Sequence, residues 1–223
     1  MIGAIVFDMD GVLLDSRKGH DQAFIEVLGS IGVVDFDYSH YAGERTSDVF
    51  RRISAERGLK LGESQIGDLA VAKSARARQL IADSDCFMPD YKFVLETLQA
   101  HYPLALASSG SRSSVDDFLD RGGVRSAFRS VLSGQDVQRA KPDPEIYTRS
   151  FLELESLPEH CAVIEDALSG ILAARQAGAG MLIGFDRHRM HDHELKTAGA
   201  ARVIGSLREL LELFADRAGG VKA

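Results

Sequence analysis

Cysteine is scarce in this chain. Its 223 residues hold two, Cys86 and Cys161, and neither stands at metal-ligand spacing. A disulfide framework is excluded as the source of stability, and two reduced thiols in a cytoplasmic protein are expected. Positive charge is short as well: 26 Lys and Arg face 33 Asp and Glu, for a formal net charge of -7. That balance argues against nucleic acid or an anionic membrane as a general partner. An anionic small substrate would need local positive charge or a metal ion. Long apolar runs are missing too, none approaching the roughly 18 residues of a membrane helix. At the N-terminus Asp8 and Asp10 interrupt the apolar stretch and no Lys or Arg precedes it, so no secretory signal is read there. Internal repeats and low-complexity tracts are absent. What remains, 45% hydrophobic and 26% charged residues, suits a globular chain forming one large domain or a core with a modest insertion.

The most informative stretch is the first. Ala4 to Phe7 is a short apolar run with the length and composition of a strand buried on both faces. It ends in two carboxylates, Asp8 and Asp10, and Gly11 bends the chain directly after them. Side chains alternate along an extended segment, so Asp8 and Asp10 project to the same side. Carboxylates held that close repel unless a cation lies between them or one keeps a proton. A structural protein gains nothing from this at a strand end, whereas a phosphoryl-transfer enzyme does.

No strand pattern appears between Ser16 and Asp85. Ala23, Phe24, Val27, Leu28 and Ile31 recur at three- and four-residue steps and Gly32 supplies a stop, which predicts a helix. Val49, Phe50 and Ile53 predict a second, and Leu69 to Ile81 a third. Strand signals return at 103–107, 130–133, 161–164, 180–184 and 201–204. Helical patterns lie over 91–100, 113–121, 144–154, 170–177 and 207–218. Apolar strands alternating with helices predict an α/β fold, a Rossmann-like doubly wound parallel sheet. The expected core is residues 1–15 and 86–223, with a small helical cap, residues 16–85, inserted after the first strand. Residues 218–223 are expected to be an exposed end with little structure.

Ligands bind beyond the carboxyl ends of such strands, and the polar residues gather there: Asp8 and Asp10, 108–111, then Glu165 and Asp166. The four acids could ring one hard cation, and an all-oxygen set suits magnesium. Glu165-Asp166 alone could equally cap the helix that follows, but beside Asp8 and Asp10 the metal reading is preferred. Ser108, Ser109 and Gly110 could cradle an anion with a hydroxyl and backbone N–H groups, or form a plain strand-to-helix turn. Lys141 precedes Pro142 and Pro144, which stiffen the segment and would hold the amine in place to neutralise phosphate or a carboxylate. A solvated lysine is the bland alternative. His188, His191 and His193 crowd one stretch whose neighbours suggest a solvated loop. His20 lies close enough to the first motif to matter, or is an exposed first-turn residue.

Asp8 to Ser16, then Ser108-Ser109-Gly110, Lys141-Pro142 and Glu165-Asp166, in that order, resemble the haloacid dehalogenase superfamily of aspartate-nucleophile phosphotransferases. The insertion after the first motif looks like the small helical-cap subgroup of phosphoglycolate phosphatase and β-phosphoglucomutase. Asp10 argues against the dehalogenase branch, and the phosphonate-cleaving branch relies on a cap lysine that the sequence does not place. The resemblance implies that Asp8 attacks phosphorus and that Asp10 serves as acid, then base, its carbonyl also binding metal. It further implies that Asp166 ligates Mg2+ with Glu165 beside it, that Ser108 with Ser109 or Gly110 holds phosphoryl oxygens, and that Lys141 balances their charge. His20 matches a hinge histidine. In the mutase a cap arginine grips the far phosphate; the equivalent stretch here places Thr46 at that position with Arg45 beside it, so Gly43, Arg45 and Thr46 are candidate substrate contacts. Many relatives read Pro-Gly at the cap exit, and this chain has Pro89-Asp90.

The expectation is a magnesium-dependent phosphatase hydrolysing a small phosphomonoester, of a sugar or a phosphoglycolate-like organic acid. A sugar-phosphate mutase is the nearer alternative, and a non-catalytic phosphate-binding protein of the same fold the more distant one. The expected partner is a phosphorylated metabolite, with no nucleic acid and no membrane, and the chain a monomer or homodimer.

Overall fold

The computed structural model describes residues 1–41, 43–84 and 86–215. The tail 218–223, the last residues of the helical pattern over 207–218, and Asp85 at the expected cap boundary lie outside the described residues. Six parallel strands form one sheet: β1 (Ala4–Phe7), β2 (Leu104–Ala107), β3 (Ser130–Leu132), β4 (Cys161–Glu165), β5 (Met181–Phe185) and β6 (Arg202–Ile204). Their order is β3-β2-β1-β4-β5-β6. From β1 the chain builds outward to one side through β2 and β3, then returns to lay β4, β5 and β6 on the other. The crevice where that order reverses lies at the carboxyl ends of β1 and β4, the usual ligand position in such sheets.

Successive β1 residues feed opposite faces, as strand geometry requires. Ile5 and Phe7 pack with Val94, Leu95 and Phe118, from α4 (Tyr91–Gln99) and α5 (Arg112–Gly122). Ala4 and Val6 pack with Tyr147, Phe151 and Ile171, from α6 (Glu145–Glu153) and α7 (Leu168–Gln176). With both faces covered, the strand has no room for a polar residue until it ends at Asp8.

Between β1 and β2 lie α1 (Arg17–Gly29), α2 (Thr46–Arg57) and α3 (Glu63–Ala82). They enclose an apolar cluster of their own, with Phe24, Leu28, Val49, Phe50 and Ile66. Gly58 ends α2 in the left-handed region at φ 65, where glycine costs nothing. The Gln65 side chain accepts from Gly62 N at 3.0 Å to start α3, six residues before the Leu69 expected from periodicity. Asp90, where the family resemblance implies glycine, is itself left-handed at φ 62. Its carboxylate accepts from Arg208 Nε at 2.7 Å and Nη2 at 2.9 Å.

The expected loop around His188, His191 and His193 needs correction. It ends in α8 (Asp192–Ala198), which buries Leu195; one buried residue leaves no periodicity to read. Asp186 organises the preceding turn by accepting from His188 N and His191 N, and His191 Nδ1 pairs with Glu194. The last described helix is α9 (Glu209–Leu213). Among the described residues, no helix is long and apolar enough to cross a membrane.

Candidate active site

Asp8 follows β1, its N–H donating to Ile164 O at 3.0 Å, so the sheet itself fixes where its buried side chain begins. Lys141 Nζ uses three donors: to Asp8 Oδ1 at 2.6 Å, Glu165 Oε1 at 2.7 Å and Ala107 O at 3.1 Å. An ammonium has three N–H groups, so its capacity is filled by three adjacent strand ends. Burial alone would strip its proton, but the Asp8 and Glu165 charges outweigh burial and hold it well above the usual lysine range.

Glu165 is drawn to the same side. Its Oε1 also accepts from Tyr147 OH at 2.8 Å, and its Oε2 from Ala167 N at 3.0 Å. It is thus both the counter-ion of Lys141 and the brace at the start of α7. Asp8, Glu165 and Asp166 each offer an oxygen within 4.8 Å of the others. Burial, then the neighbouring acids, push the Asp8 and Asp166 carboxyls well above their ordinary range, the electrostatic condition a cation relieves. Gly11, at φ 82, allows this crowding, since a Cβ there would collide with Asp166 Oδ2. The donor set is all oxygen and fits a hard divalent cation.

Asp10 faces the cavity beside Asp8. Its Oδ1 accepts from Ser16 Oγ at 2.6 Å and pairs with His20 Nε2 at 3.0 Å. Burial would raise its carboxyl, but His20, Ser16 and Lys73 together bring it below the ordinary value. Behind His20, Lys73 Nζ lies 2.7 Å from Nδ1. A protonated Lys73 can only donate, which leaves the proton on Nε2 to be given to Asp10. Burial, then Lys73, lower the His20 pKa. Lys73 is 2% exposed, with Nζ 4.2 Å from the Phe24 ring centroid, and burial brings its pKa down to about 7.

The cavity around Asp8 measures about 70 Å³, and Asp166, Ser109, Gly110, Gly43 and Thr46 share its wall. Ser108 lies fully buried behind them, its hydroxyl accepting from Gly110 N at 3.0 Å. A second cavity of about 210 Å³ continues between α3 and α5, lined by Ala77, Ile81 and Phe118 on its apolar side and Ser74, Ser111 and Asp117 on its polar side. Arg45, expected at the substrate, directs its guanidinium to the carbonyls of Gly134, Val137 and Gln138, which supply fixed acceptors.

Sequence reasoning missed Lys73 and Tyr147. Lys73 did leave a signal: with Ile66, Ala77 and Ile81 it completes the buried stripe of α3, where a lysine stands in an apolar position. Tyr147, fully buried in α6, reads as an ordinary aromatic of an amphipathic helix and left none.

A sequence profile of the haloacid dehalogenase-like hydrolases matches residues 2–178, and the chain belongs to that family. CbbY of Cereibacter sphaeroides is 29% identical over 221 residues, covering 94% of each chain. The fructose-1-phosphate phosphatase YqaB of Escherichia coli is 29% identical over 174 residues, 78% of this chain and 92% of its own. Among solved structures, β-phosphoglucomutase of Clostridium difficile superposes with a TM-score of 0.83 at 25% identity, covering 98% of this chain and 97% of its own.

Proposed function

We propose that the chain is a magnesium-dependent phosphatase hydrolysing a small phosphomonoester, preferably of a sugar, beneath a helical cap formed by residues 16–85. The observation that carries this reading is the pairing of Asp8 and Asp10 on one cavity wall, with Lys141 bonded to the first and His20 to the second. One carboxylate is held by a permanent cation and the other by a proton-carrying network, so two neighbouring acids take separate tasks.

With Asp8 Oδ1 engaged by Lys141, the other carboxylate oxygen attacks phosphorus. The new O–P bond forms as the bond to the leaving oxygen breaks, and Asp10 gives that oxygen its proton. A phosphate dianion entering beside Asp10 raises the carboxyl's affinity for that proton. Water then attacks the aspartyl phosphate, Asp10 takes the water's proton, and phosphate leaves with Asp8 restored. The Ser108 hydroxyl proton and the Ser109 N–H would hold the phosphoryl oxygens, with Gly110 N–H orienting Ser108 Oγ. Asp8, Asp166 and the Asp10 carbonyl would hold magnesium, with Glu165 alongside, and the ion would supply charge neutralisation at the phosphoryl oxygens.

The larger cavity between α3 and α5 has an apolar side and a polar side where the hydroxyls of Ser74, Ser111 and Ser114 stand beside Arg78 and Arg121, and it suits a polar leaving group. Two similarities point to carbohydrate: YqaB is named as a fructose-1-phosphate phosphatase, and a relative from Thermotoga maritima as a phosphorylated carbohydrates phosphatase. The likeness to β-phosphoglucomutase favours the mutase as second reading. Against it, Thr46 lines the cavity where the mutase arginine would stand, and Arg45 is committed elsewhere.

Hydrolysis of p-nitrophenyl phosphate and fructose 1-phosphate with magnesium tests the proposal. Asp8→Asn is expected to abolish phosphate release by at least about a thousandfold. Near-full activity in that variant would falsify the nucleophile assignment, and isomerisation without phosphate release would favour the mutase.

A further inference from the structure

Arg45 reaches from the start of α2 to the turn at 134–138. It caps α2, yet its Nη2 donates to Gly134 O at 2.7 Å and Val137 O at 2.9 Å, and its Nη1 to Gln138 O at 3.3 Å. A guanidinium is a planar fork with donors in fixed directions, so three carbonyls of one turn define both its position and its tilt.

The turn it grips supports the phosphoryl site. Gly134 N donates to Gly110 O at 2.9 Å, and Gly134 lies so close that a Cβ would collide with Ser109 O. Gln135 Oε1 accepts from Arg112 N at 2.8 Å, and Asp136 from Ser133 N at 2.7 Å, so the turn is pinned independently of Arg45. On the cap side, Ser109 Oγ donates to Gly43 O at 2.9 Å. Gly43 in turn rests on the start of α7, where a Cβ would come 2.6 Å from Ser169 Oγ and 2.7 Å from Ala167 Cβ. The segment from Gly43 to Thr46 therefore lies across the ends of β2 and β4, fastened at one end by Ser109 and at the other by Arg45.

We propose that Arg45 is a positioning residue that holds the cap closed over the phosphoryl site through contacts internal to the chain. It touches no reacting atom. By gripping the turn at 134–138 it sets how deeply Gly43 and Thr46 sit over Ser109 and Gly110, and so fixes the depth of the cavity. Closure of this kind draws nothing from a second anionic group on the substrate, and a leaving group carrying only hydroxyls is enclosed as well as a charged one. The inference rests on the phosphatase reading for its consequence in turnover, but the latch itself is a property of the chain.

Arg45→Met keeps an unbranched apolar stem, shorter than arginine, and removes every donor; Arg45→Lys restores one charged donor group. If Arg45 maintains the closed population, losing it dilutes the binding-competent state and raises apparent KM by the same factor. For fructose 1-phosphate with saturating magnesium, Arg45→Met is expected to raise KM about tenfold or more with kcat changed far less, and Arg45→Lys to recover part of the loss. Amide hydrogen exchange in 45–49 should quicken in Arg45→Met while that of β1 does not. A fall in kcat at unchanged KM, or exchange in 45–49 equal to wild type, would overturn the proposal. The exchange measurement needs no substrate, so it judges the latch even if the wild-type chain released no phosphate, which would instead sink the phosphatase reading.

Discussion

Lys141 Nζ lies 2.6 Å from Asp8 Oδ1, a contact spanning 133 residues of sequence with both groups buried. A buried cation between two carboxylates is weak evidence of net stabilisation, but removing it exposes the chain to the whole cost of the charges left behind. Lys141→Met should therefore lose about 3–5 kcal/mol of unfolding free energy, read from urea denaturation, and phosphatase activity with it. Glu165→Gln keeps an acceptor for Tyr147 and should lose less. Equal stability of Lys141→Met and wild type would show that Asp8 and Glu165 need no counter-ion.

Gly11 is where backbone conformation and the proposed metal site meet. Gly11→Ala places a methyl group against Asp166 Oδ2 and forces a side chain into positive φ. Magnesium added to the wild-type chain should raise its melting temperature by mass action; chelation with EDTA should abolish turnover and magnesium restore it. In Gly11→Ala, apparent magnesium affinity is expected to fall about tenfold or more. A full magnesium-induced rise in that variant would place the ion elsewhere.

Lys73 makes the stability of the chain depend on pH. The folded chain binds the Lys73 proton with a pKa of about 7, against 10.5 for an unperturbed lysine. Below pH 7 both folded and unfolded states hold the proton, and folding carries the full cost of a buried ammonium. Between about 7 and 10.5 the unfolded chain keeps a proton that the folded chain has released, so stability rises with pH in that window. Lys73→Met lacks this contribution. Its stability relative to wild type should be most favourable near pH 6 and should decline by up to about 1.4 kcal/mol per pH unit above 7. Urea midpoints for both proteins at pH 6, 7, 8 and 9 measure it; parallel curves would show that Lys73 titrates normally.

The sheet was legible from the sequence because its central strands are buried on both faces, and the runs 4–7 and 161–164 can be nothing but apolar until the crevice. The acids at their ends were legible for the same reason: a polar residue terminating such a run has to have somewhere to go. What escaped was held by contacts between distant elements. Arg45 could be aligned with a substrate-gripping residue, yet nothing local announces that three carbonyls at 134–138 will capture it. Tyr147 is recognisable only once Glu165 is seen beside it. Lys73 lay between these cases, visible as a lysine on the buried stripe of α3 but without meaning until His20 and Asp10 appear at its end.

The pairing of β1 with β4, from Ala4 opposite Cys161 to Phe7 opposite Ile164, bears on how the chain is born. While it grows on a ribosome, β1 emerges early and Asp8 has neither Lys141 nor Asp166 beside it. Lys141 and Asp166 arrive more than a hundred positions after Asp8 and join it through a long-range strand pairing. On the proposed mechanism, chemistry can begin only after synthesis has passed β4 and the sheet has closed around β1. The carboxylate of β1 then waits on partners made long after it.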